Sequence, residues 1–396
     1  MKIKIKNAIL SLSDKSKLKP LLKCLKKNKV NLISSGGTSK KIRALKFKCT
    51  EISSYTGFNE ILDGRVKTLH PKIHAGILSI RGKKNHKRDL KKNNFNEIDL
   101  VIVNFYPFEK KLNENKNFNQ LIENIDIGGP SMVRAAAKNY KFVTVITDSN
   151  DYNQLINELN KYGGATTLKF RSYLAAKAFQ ETSFYEASIA NWLNKKNNIK
   201  NPTKKTINIQ FKEYLRYGEN PHQTGSIYIA DSSKGFEKIN GKNLSYNNYN
   251  DIYATLRILN SFPKNTGTTI IKHTNPCGAS VEKDLIKSFQ KSFDCDPKSA
   301  FGGIVGINSK ISENLAKKIS KKFFEVIIFK GISKKALNIL KKKKNLILID
   351  FSNFSFSKKF HMTDLNNLMM LQDDDELVIN QKNFKFVTKK KPTQKQ

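Results

Sequence analysis

The chain has 396 residues, 38% of them hydrophobic, enough for two or three domains with sizeable cores, and no apolar run approaches the ~18 residues of a membrane span. A net charge of +39 would ordinarily suggest nucleic acid, but it is almost all Lys, dispersed among abundant Asn as A/T-rich codons would produce, and it forms no single patch interleaved with aromatics. Four cysteines without a C-x-x-C pair argue against a disulfide framework or structural zinc, and the Lys-Ile alternation of residues 1–7 is no signal peptide, so a soluble cytoplasmic protein is expected.

Residues 8–12, 30–34, 100–105 and 142–147 read as buried strands. Residues 15–27 and 152–161 read as amphipathic helices, and a longer helical stretch covers about 166–194. This alternation predicts an α/β, doubly wound parallel sheet covered on both faces, with ligands at the carboxyl ends of its strands. Arg and His are scarce, yet Arg65, Arg134, Arg216, His70, His74, His222 and His273 all fall in or beside dense motifs.

Ser13-Asp14-Lys15 follows the first strand and Ser35-Gly36-Gly37-Thr38 the second. Each is either a capped tight turn or, as two neighbouring strand ends, a phosphate cradle. Asp63-Gly64-Arg65-Val66-Lys67-Thr68-Leu69-His70-Pro71 is either a solvated charged loop or a grip in which Arg65 and Thr68 hold phosphate and Lys67 polarises a carbonyl. At the end of the third strand, Phe105 and Phe108 suit a core plug, while Asn104 and Tyr106 would emerge at the ligand edge. Ile125-Asp126-Ile127-Gly128-Gly129-Pro130 leads into a helix over 131–138, as Pro in a first turn favours. Arg134 and Lys138 share one face of it. Lys138 is either an exposed helix-end lysine or a proton carrier whose pKa neighbouring cations lower.

Taken in this order, SDK, SGGT, DGRVKTLHP, NFYPF, IDIGGP and RAAAKN resemble the IMP cyclohydrolase domain of the bifunctional purine-biosynthesis family, over nearly all of residues 1–200. The resemblance implies a methylglyoxal-synthase-like fold. It implies that Ser13, Asp14, Lys15, Ser35, Gly36, Gly37, Thr38, Arg65, Val66, Thr68, Val103, Asn104 and Ile127 bind a 5′-phosphorylated ribonucleotide. Lys67, Tyr106, Asp126 and Lys138 would then surround the reacting groups during cyclisation of formyl-AICAR to IMP, a step needing neither metal nor organic cofactor. Tyr140 stands where the family usually has His.

Residues 196–206 read as a polar linker interrupted by Pro202, which bounds a first domain over 1–195 and a second over 207–396. Within the second, Leu215-Arg216-Tyr217-Gly218-Glu219-Asn220-Pro221-His222-Gln223 reads as a loop, either structural or one whose Arg216 and Tyr217 hold phosphate or stack on a heterocycle. A strand over 268–271 is expected to stop at an Asn275-Pro276 turn, so that Lys272 and His273 project from its end. His273 suits a general base or a backbone-satisfied imidazole. Cys277 suits packing better than zinc, because no H-x-E or C-x-x-C accompanies it. Residues 334–344 and 353–359 read as loops or exposed helix faces.

LRYGENPHQ, KHTNPCG and SAFGG resemble the AICAR transformylase domain of the same family, which has a cytidine-deaminase-like fold. The resemblance implies formyl transfer from 10-formyltetrahydrofolate to AICAR, with His273 as base, Lys272 as transition-state stabiliser, and Arg216, Tyr217, Gly302 and Glu325 on the substrate. It also implies a homodimer. Family members extend further, so the second domain is expected to be its N-terminal part only, lacking a second subdomain, and formyl transfer by this chain alone is expected to be absent. Two other readings remain: a full-length bifunctional enzyme continued downstream, and a nucleotide-sensing module without turnover. Neither nucleic acid nor a membrane is an expected partner.

Overall fold

The computed structural model of the chain describes residues 1–106, 108–114, 117–230, 235–356, 360–375 and 385–393. Pro107 and parts of the 353–359 loop and of the C-terminal stretch lie outside the described residues. Two compact units divide at Asn208 and Ile209.

The first unit runs β1 (Lys2–Lys4), β2 (Asn7–Leu12), α1 (Leu18–Lys27), β3 (Asn31–Ser34), α2 (Gly36–Ala44), β4 (Thr50–Glu51), α3 (Ile52–Thr56), α4 (Pro71–Leu78), α5 (Lys84–Lys92), β5 (Leu100–Asn104), α6 (Phe108–Asn113), α7 (Phe118–Glu123), α8 (Gly128–Lys138), β6 (Thr144–Ile146), α9 (Tyr152–Lys161), β7 (Ala165–Thr167) and α10 (Leu168–Lys196). Its main sheet is parallel, in the order β4-β3-β2-β5-β6. Ala8–Leu10 and Leu100–Val103 are buried because helices cover both faces of the sheet, which is why these strands read as continuous apolar runs. The first strand was not foreseen: β1 pairs antiparallel with β7, Lys2 opposite Thr167.

Arg171 of α10 is fully buried. Its guanidinium donates to the carbonyls of Tyr140 (2.9 Å), Lys141 (2.8 Å) and Thr166 (2.5 Å), fastening α10 over the chain that links α8 to β6. Burial pulls its pKa down to about 10. Beyond α10 the polar stretch read as a linker lies back along that helix. Asn191 Nδ2 donates to Thr206 O (3.2 Å), and Asn208 Nδ2 donates to Phe184 O (2.9 Å).

The second unit runs β8 (Gln210–Tyr214), β9 (Ser226–Ile229), β10 (Glu237–Asn240), α11 (Tyr246–Ser261), β11 (Gly267–Lys272), β12 (Asn275–Val281), α12 (Leu285–Asp294), β13 (Ile304–Ile307), α13 (Glu313–Ser320), β14 (Val326–Phe329), α14 (Lys334–Lys341), β15 (Ile347–Asp350), β16 (Phe360–Leu365) and β17 (Leu368–Asp373). A six-stranded mixed sheet, β10-β15-β14-β13-β11-β12, carries one apolar cluster on each face. The Lys-rich stretch 334–344 is an amphipathic helix over most of its length, burying Ala336 and Leu340.

One expectation is corrected. Asn275-Pro276 does not form the turn after β11; both residues begin β12, which pairs antiparallel with β11. The turn is His273-Thr274, with positive φ at both residues (53° and 61°), the pattern of a two-residue hairpin. Pro276 is tolerated because β12 is the edge strand of its sheet. No helix among the described residues is long and apolar enough to cross a membrane.

Candidate functional site

β2, β3 and β5 are adjacent and parallel, so their carboxyl ends bring Leu12, Ser34 and Asn104 to one edge. The segments that follow them converge with residues 63–68 and 122–129 around a cleft of about 750 Å³. Ser13, Lys15, Ser35, Gly36, Gly37, Thr38, Arg65, Lys67, Thr68, Asn104, Tyr106, Asp126 and Ile127 all line it.

Several of these residues shape the cleft and do not offer their side chains to a ligand. Thr38 Oγ1 accepts the N–H of Leu12 (2.9 Å) and donates to its carbonyl (3.1 Å), so the hydroxyl clamps α2 to the end of β2. Asn104 Oδ1 accepts the N–H groups of Ser13 (2.7 Å) and Asp14 (2.9 Å), and its amide donates to Asp14 O (2.9 Å). That single side chain fixes the loop after β2. Outside the lining, His70 Nδ1 accepts the N–H of Lys72 (3.1 Å) and caps α4, with Pro71 in its first turn.

The double glycine of the IDIGGP motif is explained by close approach. A Cβ on Gly128 would overlap Thr68 Oγ1, and one on Gly129 would overlap Asp126 Oδ2. Gly36 has φ +49°, and a Cβ there would meet Lys67 Nζ at 3.3 Å. Thr68, Asp126 and Lys67 are therefore held against bare backbone.

Asp126 is a partly buried acid of the cleft. Burial raises its pKa above the usual carboxylate range, and the N–H of Gly129 (2.9 Å) opposes that shift. Its own N–H donates to the Tyr185 hydroxyl (2.7 Å), which α10 supplies. Tyr185 was not singled out in the sequence, since it lies 59 residues away and carries no local motif. Glu60 and Glu123 were also missed. Glu60 pairs with Lys67 at 2.5 Å, and Glu123 grips the Arg65 guanidinium with both oxygens. Tyr106, half exposed, stands at the rim.

Four expected residues are not brought to the cleft. Asp14 turns to Ser16 and Ser149, whose bonds lower its pKa. Val66 is bridged to Ile61, and Val103 is buried in the core. Lys138 is the largest departure. It ends α8, an eleven-residue helix whose first residues face the cleft, which puts it about 15 Å away along the axis. There, with Arg134, His74, Tyr140 and Phe179, it lines a separate pocket of about 830 Å³. Burial lowers the pKa of His74 in that pocket.

In the second unit, Ile271 lies opposite Ile304, and Ile304 opposite Val326. Lys272, Gly302 and Glu325 therefore share one sheet edge, with His273 in the turn beside them. Lys272 Nζ donates to Phe301 O (2.8 Å), and Asn248 Nδ2 donates to Glu325 (3.4 Å). The turn is anchored by the Thr274 N–H, which donates to Asp251 (2.6 Å). Arg216 and Tyr217 stand in the loop between β8 and β9, with the guanidinium over the phenol ring at 5.3 Å, and Asn247, next to Asn248, donates to Glu219 O of the same loop (3.1 Å). Cys277 packs against the core.

Comparison with known proteins gives consistent results. The family model described as "MGS-like domain" matches residues 17–131, and that described as "AICARFT/IMPCHase bienzyme" matches residues 136–396. The bifunctional purine biosynthesis protein PurH of Thermoanaerobacter sp. is 41% identical over 99% of this chain and 77% of its own length. PurH of Bradyrhizobium diazoefficiens is 41% identical over 98% of this chain and 75% of its own. The crystal structure of ForH matches 48% of this chain and 99% of its own at 31% identity, with a TM-score of 0.43. A parallel sheet whose strand ends gather the SDK, SGGT, DGRVKT and IDIGG segments, followed by a second α/β unit, thus accompanies family matches along almost the whole sequence, and the chain belongs to the AICARFT/IMPCHase bienzyme family, with an MGS-like domain in its first half.

Proposed function

We propose that the cleft at the carboxyl edge of β2, β3 and β5 binds formyl-AICAR and closes its ring to IMP. The chain is an enzyme of the last two steps of de novo purine biosynthesis, formyl transfer to AICAR and cyclisation of the product. One observation carries the assignment of the second step to this cleft: Arg65, Lys67, Thr68, Tyr106 and Asp126, from separate stretches of chain, line the same cavity as the SDK and SGGT loops.

In the reaction the carboxamide nitrogen attacks the formyl carbon, forming the C–N bond that closes the ring. One proton from that nitrogen and one from the formamide nitrogen leave with the formyl oxygen as water. Both reacting groups belong to one molecule, so holding them in a near-attack arrangement supplies much of the rate. Arg65, Lys15 and the SGGT backbone anchor the phosphate. Lys67, whose Nζ stands beside Gly36 of that loop, borders the phosphate and stabilises the oxyanion that develops on the formyl oxygen. Asp126, its pKa raised by burial, is suited to carry a proton, with Tyr106 at the rim of the same cleft. Lys138 lies a helix length away from the cleft of its own chain. A proton-carrying role for it requires that it serve the cleft of a second copy.

For formyl transfer we propose His273 as base, Lys272 as charge stabiliser and 10-formyltetrahydrofolate as donor. Arg216, Tyr217, Gly302 and Glu325 would hold AICAR. The resemblance of the LRYGENPHQ, KHTNPCG and SAFGG segments supports this reading, as it does a cytoplasmic homodimer.

The test is an IMP-formation assay on Lys67→Ala and Lys138→Ala, alone and after the two variants are dissociated and re-associated together. Lys67→Ala should lose about 10²–10³ in kcat. If Lys138 acts across copies, the mixture regains part of the wild-type rate, because one cleft of each mixed pair is intact. Wild-type rates for Lys67→Ala would remove the cleft from the mechanism.

A further inference from the structure

The segment carrying Arg65 and Lys67 is folded on itself. An antiparallel bridge pairs Ile61 with Val66, and Leu62, Asp63 and Gly64 between them have φ of 54°, 53° and 86°. Left-handed backbone at successive non-glycine residues is costly and persists only where surroundings hold it. Two carboxylates flank it here. Glu60 and Lys67 flank the bridge and pair across it at 2.5 Å. Glu123, ending α7 and lining the cleft, fastens Arg65 through both its oxygens. A third carboxylate, Glu51, accepts the N–H of Gly36 at the start of α2 (3.0 Å).

A carboxylate offers these donors what a phosphate offers: negative charge and a pair of oxygens spaced for a guanidinium fork. An anionic ligand therefore competes with Glu60 and Glu123 for the same side chains. We infer that Glu60 and Glu123 are built-in competitors of the ligand's phosphate at the ring-closing site: they occupy Lys67 and Arg65, and a phosphorylated ligand must displace them to bind. The inference rests on the reading of the cleft given above. A phosphate monoester, with up to two charges and three acceptor oxygens, can displace a carboxylate. An uncharged nucleoside has nothing to exchange for it.

Both pairs are substantially exposed, with side-chain exposures of 65% and 57% for Arg65 and Glu123, and of 27% and 57% for Lys67 and Glu60. The effect of removing either is accordingly a few-fold change in affinity. The experiment is calorimetric titration of the full chain with inosine monophosphate and, separately, with inosine. The proteins are wild type, Glu60→Gln, Glu123→Gln, the double variant and Asp63→Asn. Asp63 lines the same cleft but forms no salt bridge with either cation among the described residues, so its variant controls for charge alone.

Glu60→Gln and Glu123→Gln should each tighten inosine monophosphate roughly two- to fivefold, and the double variant about tenfold, with inosine unmoved. Asp63→Asn should change the nucleotide by less than about twofold. Unchanged or weaker nucleotide binding in the Glu variants would overturn the inference. So would equal tightening by Asp63→Asn, or an equal shift for inosine. A wild-type chain that fails to bind inosine monophosphate at all would remove the reading of the cleft, and this inference with it.

Discussion

In the first unit the candidate groups leave three parallel strands at their carboxyl ends and arrive from stretches more than 100 residues apart in sequence. In the second, Lys272 ends β11 while Gly302 and Glu325 precede β13 and β14, and His273 stands in the hairpin turn that follows Lys272. A parallel sheet cannot join adjacent strands by tight turns, so every loop at its active edge comes from a different crossover. Its site inherits the rigidity of buried strands and helices. The mixed sheet of the second unit sets the carboxyl end of β11 beside the amino ends of β13 and β14, and the placing of Lys272 and His273 depends on one exposed turn.

If that contrast is right, damage to distant scaffold should spread to the first site, and changes in the second should stay local. The largest effect is expected from Arg171→Ala. It leaves the carbonyls of Tyr140, Lys141 and Thr166 without their donor, at about 1–3 kcal/mol for each buried group, partly offset by no longer burying a charge. Urea melts should show a net loss of about 3 kcal/mol confined to the first unit. A melt indistinguishable from wild type would show that α10 does not depend on this residue.

Next in size is Asp126→Asn, expected to lower kcat for ring closure about 100-fold. It should also flatten the rise of that rate with pH through the raised carboxyl pKa. The stability consequence has a definite sign. Folding favours the protonated form, so the contribution of Asp126 is fully present below the unfolded carboxyl pKa and is lost as pH rises through the raised native value. The asparagine variant should therefore gain on wild type over that range in paired denaturant melts. A constant difference between the two proteins would contradict the burial-driven shift.

The smallest effect belongs to the second unit. Thr274 is β-branched and has φ +61°. Replacing it with Gly relieves a left-handed strain of about 1 kcal/mol, against some lost chain entropy. The second transition should rise by roughly 0.5 kcal/mol, while cyclisation is untouched. A fall in stability would indicate that the Thr274 hydroxyl, which donates to His273 O at 2.7 Å, matters more than the strain.

What could be read from the sequence divides along the same line. The strands Asn7–Leu12, Asn31–Ser34 and Leu100–Asn104 are legible because burial on both faces leaves unbroken apolar runs, and α9 because its apolar positions recur at helical spacing. The SGGT glycines are legible as sites of close approach. What Gly36 and Gly128 approach is not, since Lys67 and Thr68 lie in a different crossover. Thr38 and Asn104 read as ligand groups, yet their polar atoms are taken by backbone of β2 and the loop after it. Nothing local marks Tyr185, Glu60 or Glu123, whose roles exist only once the chain is packed. Lys138 shows the limit most clearly: its sequence spacing from Asp126 is short, but a straight helix turns that spacing into separation. Asn-Pro reads as a turn anywhere, and only the position of β12 at a sheet edge makes it part of a strand.

The reciprocal bonding of Thr38 to Leu12, together with the hold of Asn104 on the loop after β2, ties three strand ends to one another by short, saturated links. The back wall of the cavity is thus dimensionally fixed, like the stationary jaw of a vice. Substrates, products and inhibitors of differing bulk must be accommodated by the opposite jaw, residues 60 to 68. Substitutions that alter which purine precursors are accepted should accumulate there and spare the wall.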